Sequence, residues 1–331
     1  MNLKKYINKQ LFYLFMNRAD GYPQFRIALT YRCNNNCAYC SSGKVNSMVE
    51  SDMKIEDFKN VLVWLKKRGI RKILLTGGEP FFHKDIKKIL ESCQESGFST
   101  YILTNGLLVK AEVREYLKDK AVSLILNVNL DNSYYVLRSN MSGIEGKVVL
   151  IRYNFNKRSE DYTLLFRMAK EYSVPIRFGF TVPSRHADNE CYSFEDMLTY
   201  KQQIMDFVKS SRLNSVRAYF SRPLPRCIFS EIEWRHLKRY FGAKSRCLVG
   251  DAGNYLSRAI INPDLSVDVC YASLFKASLI FDFKELKYLN SYFKYKFDAI
   301  RNKPLMDKCN NCRYHKDSSC QGGCLIYKYV S

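Results

Sequence analysis

The chain has 331 residues, of which 47% are hydrophobic and 14% aromatic, and this composition excludes an intrinsically disordered protein. Lys and Arg outnumber Asp and Glu by 53 to 32, so the net charge of +21 favours anionic partners. No apolar run is long enough to span a bilayer and no signal peptide is recognisable, so we expect a cytoplasmic protein without a transmembrane segment.

The first element along the chain is a basic and apolar segment, residues 1–24. It combines several lysines with the short apolar stretch Leu11 to Met16. This pattern predicts an N-terminal amphipathic helix, which either packs on the body of the protein or rests on a membrane surface.

From residue 25 to about 181, apolar runs alternate with helical patterns. Because the runs lack polar alternation and are joined through helices, they indicate a parallel α/β sheet. Six such units predict a partial (β/α)6 TIM-like barrel over residues 25–212, whose chemistry gathers at the C-terminal ends of the strands. A helix predicted at 193–211 closes this unit. The strands are predicted at 25–30, 72–76, 100–104, 121–128, 147–152 and 176–181.

Beyond residue 212 the chain changes to short elements interleaved with cysteines. We therefore predict a second, small cysteine-rich α+β domain over residues 213–331. Nine basic and two acidic residues lie between Arg212 and Arg246. This excess suits an anionic substrate, although a solvated basic surface would have the same composition.

Three of the twelve cysteines follow the first predicted strand closely, at positions 33, 37 and 40. In the cytoplasm, thiolates that bind metal are expected rather than disulfides. Three thiolates at this spacing suit an iron–sulfur cluster with one iron open to a cofactor, or a zinc knuckle completed by a distant residue. The stretch Gly77 to Pro80 (GGEP) follows the second strand. Its glycines permit close backbone approach, and Glu79 offers a carboxylate for an ammonium group.

With Tyr39 before the last cysteine of this loop, the two motifs together resemble those of the radical S-adenosylmethionine (radical SAM) enzymes. The resemblance implies a 4Fe–4S cluster on Cys33, Cys37 and Cys40, whose open iron binds S-adenosylmethionine (SAM). It also implies an electron donor such as flavodoxin or ferredoxin. For Arg138 a surface salt bridge is the alternative role, and Asn154 is a further candidate. The cofactor contacts implied by the resemblance are Tyr39, Gly77, Gly78, Glu79, Pro80, Thr104, Asn105, Asn129 and Arg138.

The last four cysteines would suit a zinc ribbon if they stood alone. Downstream of a radical SAM core they resemble the SPASM or twitch extension, which holds auxiliary 4Fe–4S clusters, although Leu265 replaces the usual glycine. The resemblance suggests two clusters, with Cys227, Cys247, Cys270 and Cys324 on one. The other cluster would lack a fourth cysteine, and Asp307 and His315 are candidates for the missing ligand. The alternative is that only one auxiliary cluster forms and that some of the thiols are structural. The implied ligands are Cys227, Cys247, Cys270, Cys309, Cys312, Cys320 and Cys324.

The remaining two cysteines stand apart from both sets. Cys93 lies on the apolar face of a predicted helix, which indicates a core position. Cys191 is either a loop cysteine without a chemical role or a catalytic thiol that returns a hydrogen atom to a substrate radical.

Three functions are considered. The first is a radical SAM enzyme that crosslinks, oxidises or epimerises a ribosomally made peptide. The second is a radical SAM dehydrogenase or epimerase of a small polar substrate, such as a sugar, an aminocyclitol or a nucleotide-linked sugar. The third, a zinc protein that binds nucleic acid, conflicts with the pairing of the GGEP stretch and the cysteine loop, so no specific nucleic-acid partner is expected.

Overall fold

A computed structural model describes residues 25–41, 52–128, 133–155, 161–184, 190–193, 196–247, 249–250, 253–270, 275–301 and 303–330. The predicted N-terminal helix, residues 1–24, lies outside the described residues. No helix in the described ranges is long and apolar enough to cross a membrane.

Ten strands form one sheet in the order β10-β9-β8-β1-β2-β3-β4-β5-β6-β7. Strands β1 to β7 pair in parallel and in chain order. All six predicted strands are confirmed, and the mostly parallel α/β sheet is a partial, unclosed barrel. The strands are β1 Phe25–Thr30, β2 Lys72–Gly77, β3 Ser99–Thr104, β4 Val122–Asn127, β5 Val148–Phe155, β6 Ile176–Phe180, β7 Ala218–Phe220, β8 Ala259–Ile261, β9 Ser266–Val269 and β10 Lys276–Leu279.

Helices connect the parallel strands and bury their apolar stripes against one face of the sheet. In the first of them, α1, the buried residues recur at helical spacing: Phe58, Val61, Leu62 and Leu65. These side chains join alternate residues of the strands, such as Ile27 and Ile73, in the main core. The helices are α1 Ile55–Lys67, α2 Ile86–Glu95, α3 Ala111–Lys118, α4 Ser133–Met141, α5 Thr163–Glu171, α6 Met197–Leu213, α7 Glu231–Phe241, α8 Leu286–Arg301, α9 Asp307–Asn310, α10 Arg313–Lys316 and α11 Tyr327–Val330.

The opposite face of the sheet carries a smaller apolar cluster of Leu74, Tyr101, Ile125 and Leu150. These residues come from four neighbouring strands, and each is at most 8% exposed. Their side chains pack together in the interior of the barrel. Strand side chains alternate between the two faces, so polar residues at the adjoining positions of this face are available for binding.

The chain beyond residue 212 contributes strands to both edges of the sheet. Helix α6 ends at Leu213, close to the predicted boundary, but β7 then pairs with β6 in parallel. At the other edge β8 pairs with β1 in parallel, and β9 and β10 follow antiparallel. The cysteine-rich segment is therefore continuous with the barrel through backbone hydrogen bonds. The sequence did not reveal this, because the β1–β8 pairing joins residues about 230 positions apart.

The turn between β8 and β9 explains why a glycine is usual at position 265. Leu265 has a φ of 66°, in the left-handed region that L-residues with a side chain rarely adopt. Its N–H donates to the Asn262 carbonyl at 2.9 Å, which closes the turn. The leucine is packed against the main core, and this contact offsets part of the backbone strain.

Candidate active site

The cysteine loop and the GGEP stretch meet at the C-terminal edge of the sheet. Strands β1 and β2 are parallel neighbours, so the segments that follow them leave the sheet side by side. The Gly78 N–H donates to the Thr30 carbonyl at 2.7 Å, and the Glu79 N–H donates to the Arg32 carbonyl at 2.9 Å. These two bonds fix the GGEP backbone against the residues that immediately precede Cys33.

Both glycines are required by this close approach. A Cβ on Gly77 would lie 2.1 Å from the Thr30 carbonyl oxygen, and its φ of 134° is itself unfavourable for other residues. A Cβ on Gly78 would lie 2.2 Å from the Arg32 carbonyl oxygen. The two residues present bare backbone to the cavity described below.

Glu79 is fully buried, and its carboxylate faces the protein rather than the cavity. It accepts hydrogen bonds from the Thr104 hydroxyl at 2.7 Å, the Asn105 N–H at 2.8 Å and the Phe81 N–H at 3.2 Å. Burial raises the pKa of Glu79 to about 7, although the three donors stabilise its charged form. The expectation that this carboxylate accepts from a ligand ammonium group is therefore replaced by a positioning role, because it joins the end of β2 to the end of β3.

Asn105 extends this connection to the cysteine loop. Its side-chain amide donates to the Asn34 side-chain oxygen at 3.0 Å and approaches the Cys33 sulfur at 3.8 Å. The Asn35 N–H also points at the Cys33 sulfur, at 3.4 Å. Donors directed at a sulfur stabilise a thiolate, and in iron–sulfur proteins they tune the potential of a bound cluster.

One cavity brings most of the predicted cofactor residues together. Cys33, Cys37 and Cys40 lie at its rim beside the two glycines, and Tyr39, Thr104, Asn105 and the candidate Asn154 also line it. The Tyr39 hydroxyl lies 3.4 Å from the side-chain amide of Asn127, the last residue of β4. The sequence did not single out some of the residues that line this cavity, among them Thr76, Asn127, Arg152 and Thr181. Three of them lie at or next to the C-terminal end of a strand, which was a usable signal: Thr76, Asn127 and Thr181.

Besides Glu79, two predicted cofactor residues lie outside this cavity. Pro80 is buried at the start of a 3-10 turn and does not line the cavity. Arg138 lies on α4 with a 62% exposed side chain, 3.5 Å from the Glu171 carboxylate, so it forms the surface salt bridge that was its alternative role. Asn129 lies outside the described residues.

The donor set at this cavity fits a cluster with one open iron. Burial raises the pKa of the Cys33 thiol to about 11, and the negative charges of Glu79, Cys37 and Cys40 add to this effect, so a cationic centre is needed to hold the thiolates together. In the described part of the chain, no three His, Cys, Asp or Glu side chains are arranged to hold a metal ion.

The C-terminal cysteines have different cysteine neighbours, and those of Cys227 are not the ones with which the resemblance groups it. Burial raises the pKa of Cys227, and so do the neighbouring charges of Cys320 and Cys309. Burial likewise raises the pKa of Cys247 to about 12, with Cys324 and Cys270 as its charged neighbours.

Contacts made by the residues next to Cys227 also bring its segment close to Cys320. The Arg226 guanidinium stacks on the Tyr314 ring at 4.8 Å, and the Tyr314 carbonyl accepts from the Cys320 N–H at 2.8 Å. On the other side, a Cβ on Gly323 would lie 3.2 Å from the Pro225 ring. The segment that carries Cys227 therefore packs on the 314–323 segment around Cys320.

Cys191 lies between the two cysteine regions. The neighbouring Glu190 N–H donates to the Ala38 carbonyl, inside the first cysteine loop, at 2.8 Å. The neighbouring Tyr192 carbonyl accepts from the Tyr327 hydroxyl at 2.7 Å. Cys191 does not line the main cavity, so its predicted role as a hydrogen donor stays a prediction.

Comparison with protein-family models gives one match that coincides with this site. The model of the radical SAM superfamily matches residues 27–188, which include the cysteine loop and all the cavity-lining strand ends up to β6. Residues 27–188 form a radical SAM domain. Its cofactors are accordingly a 4Fe–4S cluster and SAM, and the arrangement above provides a place for each.

Curated relatives match this radical SAM protein over about half of its length or less. It is 28% identical over 179 residues to the Fe-coproporphyrin III synthase of Methanosarcina barkeri, covering 49% of this chain and 45% of the relative. It is 32% identical over 120 residues to AlbA, the antilisterial bacteriocin subtilosin biosynthesis protein of Bacillus subtilis, covering 36% of this chain and 26% of AlbA. The matched part thus spans about half the length of the first curated relatives.

The fold of this radical SAM protein is similar to that of a solved structure over nearly its whole length. Streptococcus suis SuiB, crystallised with its precursor peptide SuiA, matches with a TM-score of 0.63 and 17% identity. The match covers 96% of this chain and 75% of SuiB. The likeness therefore extends through the C-terminal cysteine region, where the family model does not reach.

Proposed function

We propose that this radical SAM enzyme crosslinks, oxidises or epimerises a ribosomally made peptide. The observation that carries the proposal is the likeness to SuiB, bound to its precursor peptide, across 96% of the chain. The 32% sequence identity over 120 residues to AlbA, a bacteriocin biosynthesis protein, supports the same substrate class. A cytoplasmic location and a flavodoxin or ferredoxin as electron donor are part of this proposal.

The residues of the site have distinct tasks in this function. Cys33, Cys37 and Cys40 would hold the cluster, which when bound supplies the electron that cleaves SAM to methionine and a 5′-deoxyadenosyl radical. The bare backbone of Gly77 and Gly78 leaves room for the methionine end of SAM. Tyr39, Asn127, Thr104 and Asn105 enclose the cavity, which limits the access of water to a reactive species.

The buried Glu79 carboxylate holds two walls of this cavity together through Thr104 and Asn105. Glu79 does not line the cavity, so its contribution is orientation rather than chemistry. Orientation matters here because small displacements of a reacting group strongly lower the rate of a positioned reaction.

The C-terminal cysteines would hold two auxiliary clusters with unequal ligand sets. Cys227 joins Cys309, Cys312 and Cys320 in a complete set of four, so neither Asp307 nor His315 is needed as a substitute. Cys247, Cys270 and Cys324 form a set of three, which leaves the open iron in this second group. The resemblance had left the group of Cys309, Cys312 and Cys320 without a fourth cysteine, whereas this assignment leaves the other group without one.

Iron analysis of single and double variants tests the regrouping. Cys227→Ala and Cys309→Ala are each expected to lose the iron of the same cluster, so the double variant loses no more than either single variant. Cys227→Ala combined with Cys247→Ala is expected to lose the iron of both auxiliary clusters. Iron content and the electron paramagnetic resonance spectrum of the reduced protein give the result. Additive loss for the 227/309 pair, with overlapping loss for the 227/247 pair, would restore the original grouping.

The peptide substrate is tested by mass spectrometry. Iron-loaded, reduced protein is incubated without oxygen with SAM and with short peptides encoded beside its gene. A crosslink or oxidation removes two hydrogens from the peptide, whereas an epimerisation in deuterated water introduces deuterium without a loss. If no peptide changes while a small polar molecule does, the peptide proposal is wrong.

A second candidate function is supported by one observation. One relative, 34% identical over 35% of this chain, is a probable GTP 3′,8-cyclase, which is named for an anionic small molecule. The dehydrogenase or epimerase alternative is distinguished by turnover: it requires 5′-deoxyadenosine formation that depends on the small molecule and not on any peptide. In either function Cys191 stays a candidate hydrogen donor.

A further inference from the structure

Lys328 buries an ammonium group in the cysteine-rich region. The residue lies on α11, and only 8% of it is exposed. Its ammonium group has three donors, one of which bonds to the carbonyl of Arg301, the last residue of α8, at 2.7 Å. Among the described residues, no carboxylate forms an ion pair with it. Because a buried cation without a compensating charge is costly, a negatively charged group is expected near it.

The negative charges near Lys328 come from cysteines. Burial lowers the pKa of Lys328 to about 8, and the charges of Cys309 and Cys320 oppose this effect. The chain that leads from α8 to Cys309 also packs against the turn after Cys320, since a Cβ on Gly322 would lie 3.0 Å from the Leu305 side chain. Both cysteines belong to the set assigned above to one cluster, called here the four-cysteine group: Cys227, Cys309, Cys312 and Cys320.

A second buried donor lies near the same group. Tyr200, on α6, is 1% exposed, and its hydroxyl has no hydrogen-bond partner among the described residues. Its ring stacks on that of Phe180 at a centroid distance of 5.0 Å. Helix α6 contacts the 3-10 turn Arg226–Ile228, which carries Cys227. Burial raises the pKa of the Tyr200 hydroxyl, and the charges of Cys227 and Cys320 add to this effect, so the hydroxyl keeps its proton and can donate.

From these two donors we infer that Lys328 and Tyr200 raise the reduction potential of the cluster held by the four-cysteine group. Cluster potentials depend on net charge and on hydrogen bonds to the sulfurs. Reduction adds a negative charge, which a buried ammonium group stabilises more than a solvated one, because little water or salt screens it. The inference rests on the proposed function, to which it adds that this cluster is tuned to accept an electron.

The test is a redox titration of the iron-loaded protein, followed by electron paramagnetic resonance. Lys328→Gln is expected to lower the midpoint potential of one auxiliary cluster, the one whose signal Cys227→Ala removes. We expect an about tenfold fall in the equilibrium constant for reduction, which is about 59 mV for one electron. Lys328→Arg, which keeps the charge, is expected to retain most of the potential. Tyr200→Phe is expected to shift it in the same direction as Lys328→Gln, and serves if that variant does not fold.

Two matched controls remove the same chemical groups elsewhere. Lys316→Gln removes a lysine charge from an exposed position on α10, between Cys312 and Cys320 in the chain. Tyr153→Phe removes another buried hydroxyl that lacks a hydrogen-bond partner within the described ranges, on a β5 ring that packs on Phe207. Both controls are expected to leave the midpoint potential nearly unchanged.

An unchanged midpoint potential in both Lys328→Gln and Tyr200→Phe would overturn the inference. A shift of equal size in Lys316→Gln would also overturn it, because a general loss of surface charge would then explain the effect. So would a shift confined to the cluster that Cys247→Ala removes. The titration needs no substrate and no turnover. Failure here is therefore separate from failure of the peptide proposal, which the mass measurement decides, and from failure of the ligand grouping, which the iron analysis decides.

Discussion

Cys37→Ala is expected to abolish SAM cleavage while the iron bound by the C-terminal cysteines remains. The variant leaves two thiolates at the rim of the main cavity, too few to retain a cluster whose fourth iron must stay open. Loss of an outer-shell partner alone lowers metal affinity or activity by about 10- to 100-fold, so loss of a ligand is expected to exceed that range. The measurement is 5′-deoxyadenosine by liquid chromatography, alongside iron content per chain.

Cys93→Ala is the control for this prediction. Cys93 is 1% exposed in the main core and belongs to neither cysteine region. Its substitution is expected to lower stability by about 1 kcal/mol without affecting iron content or SAM cleavage. If Cys37→Ala still cleaved SAM at the rate of the unmodified protein, the assignment of the cluster to this loop would be wrong.

Gly78→Ala is expected to reduce both stability and SAM binding, because the added methyl group has no space. Its Cβ would lie 2.2 Å from the Arg32 carbonyl oxygen and 2.6 Å from that of Tyr31, and both obstacles are backbone atoms. The GGEP backbone must then retreat from the cysteine loop and lengthen the Gly78 and Glu79 hydrogen bonds. We expect a loss of about 2–3 kcal/mol in the free energy of unfolding and at least a roughly tenfold weaker binding of SAM.

Gly97→Ala separates this steric effect from the general cost of replacing a glycine. Gly97 has a φ of 74°, and its Cβ would meet nothing within 4 Å. We expect a cost of about 1–2 kcal/mol from backbone strain and no change in SAM binding. Denaturant unfolding and calorimetry with SAM measure the two effects. SAM binding by Gly78→Ala as tight as that of Gly97→Ala would contradict the close contact between the two motifs.

The barrel could be predicted from sequence because its signals are local. The run at 25–30 is the strand Phe25–Thr30, and the other five predicted strands differ from the observed bounds by at most three residues. The adjacency of Cys33 and Gly78 followed from the rule that neighbouring parallel strands end at one edge. Both inferences need only short segments and their order along the chain.

Other features depend on contacts between distant segments, which local patterns do not determine. The resemblance groups Cys227 with Cys247, Cys270 and Cys324, whereas its neighbours Arg226 and Pro225 lie against the segment around Cys320, which supports the grouping proposed above. Arg138 matched a cofactor ligand only in spacing, and the orientation of α4 directs it to Glu171.

The central claim is that this protein cleaves SAM reductively at the site formed by the cysteine loop and the GGEP stretch. It is tested most directly by incubating iron-loaded protein anaerobically with a reductant and SAM and by quantifying the products with mass spectrometry. The account predicts 5′-deoxyadenosine and methionine in equal amounts, with neither product from the Cys37→Ala variant. Protein with its full iron content that forms no 5′-deoxyadenosine, with or without the peptides tested above, would contradict it.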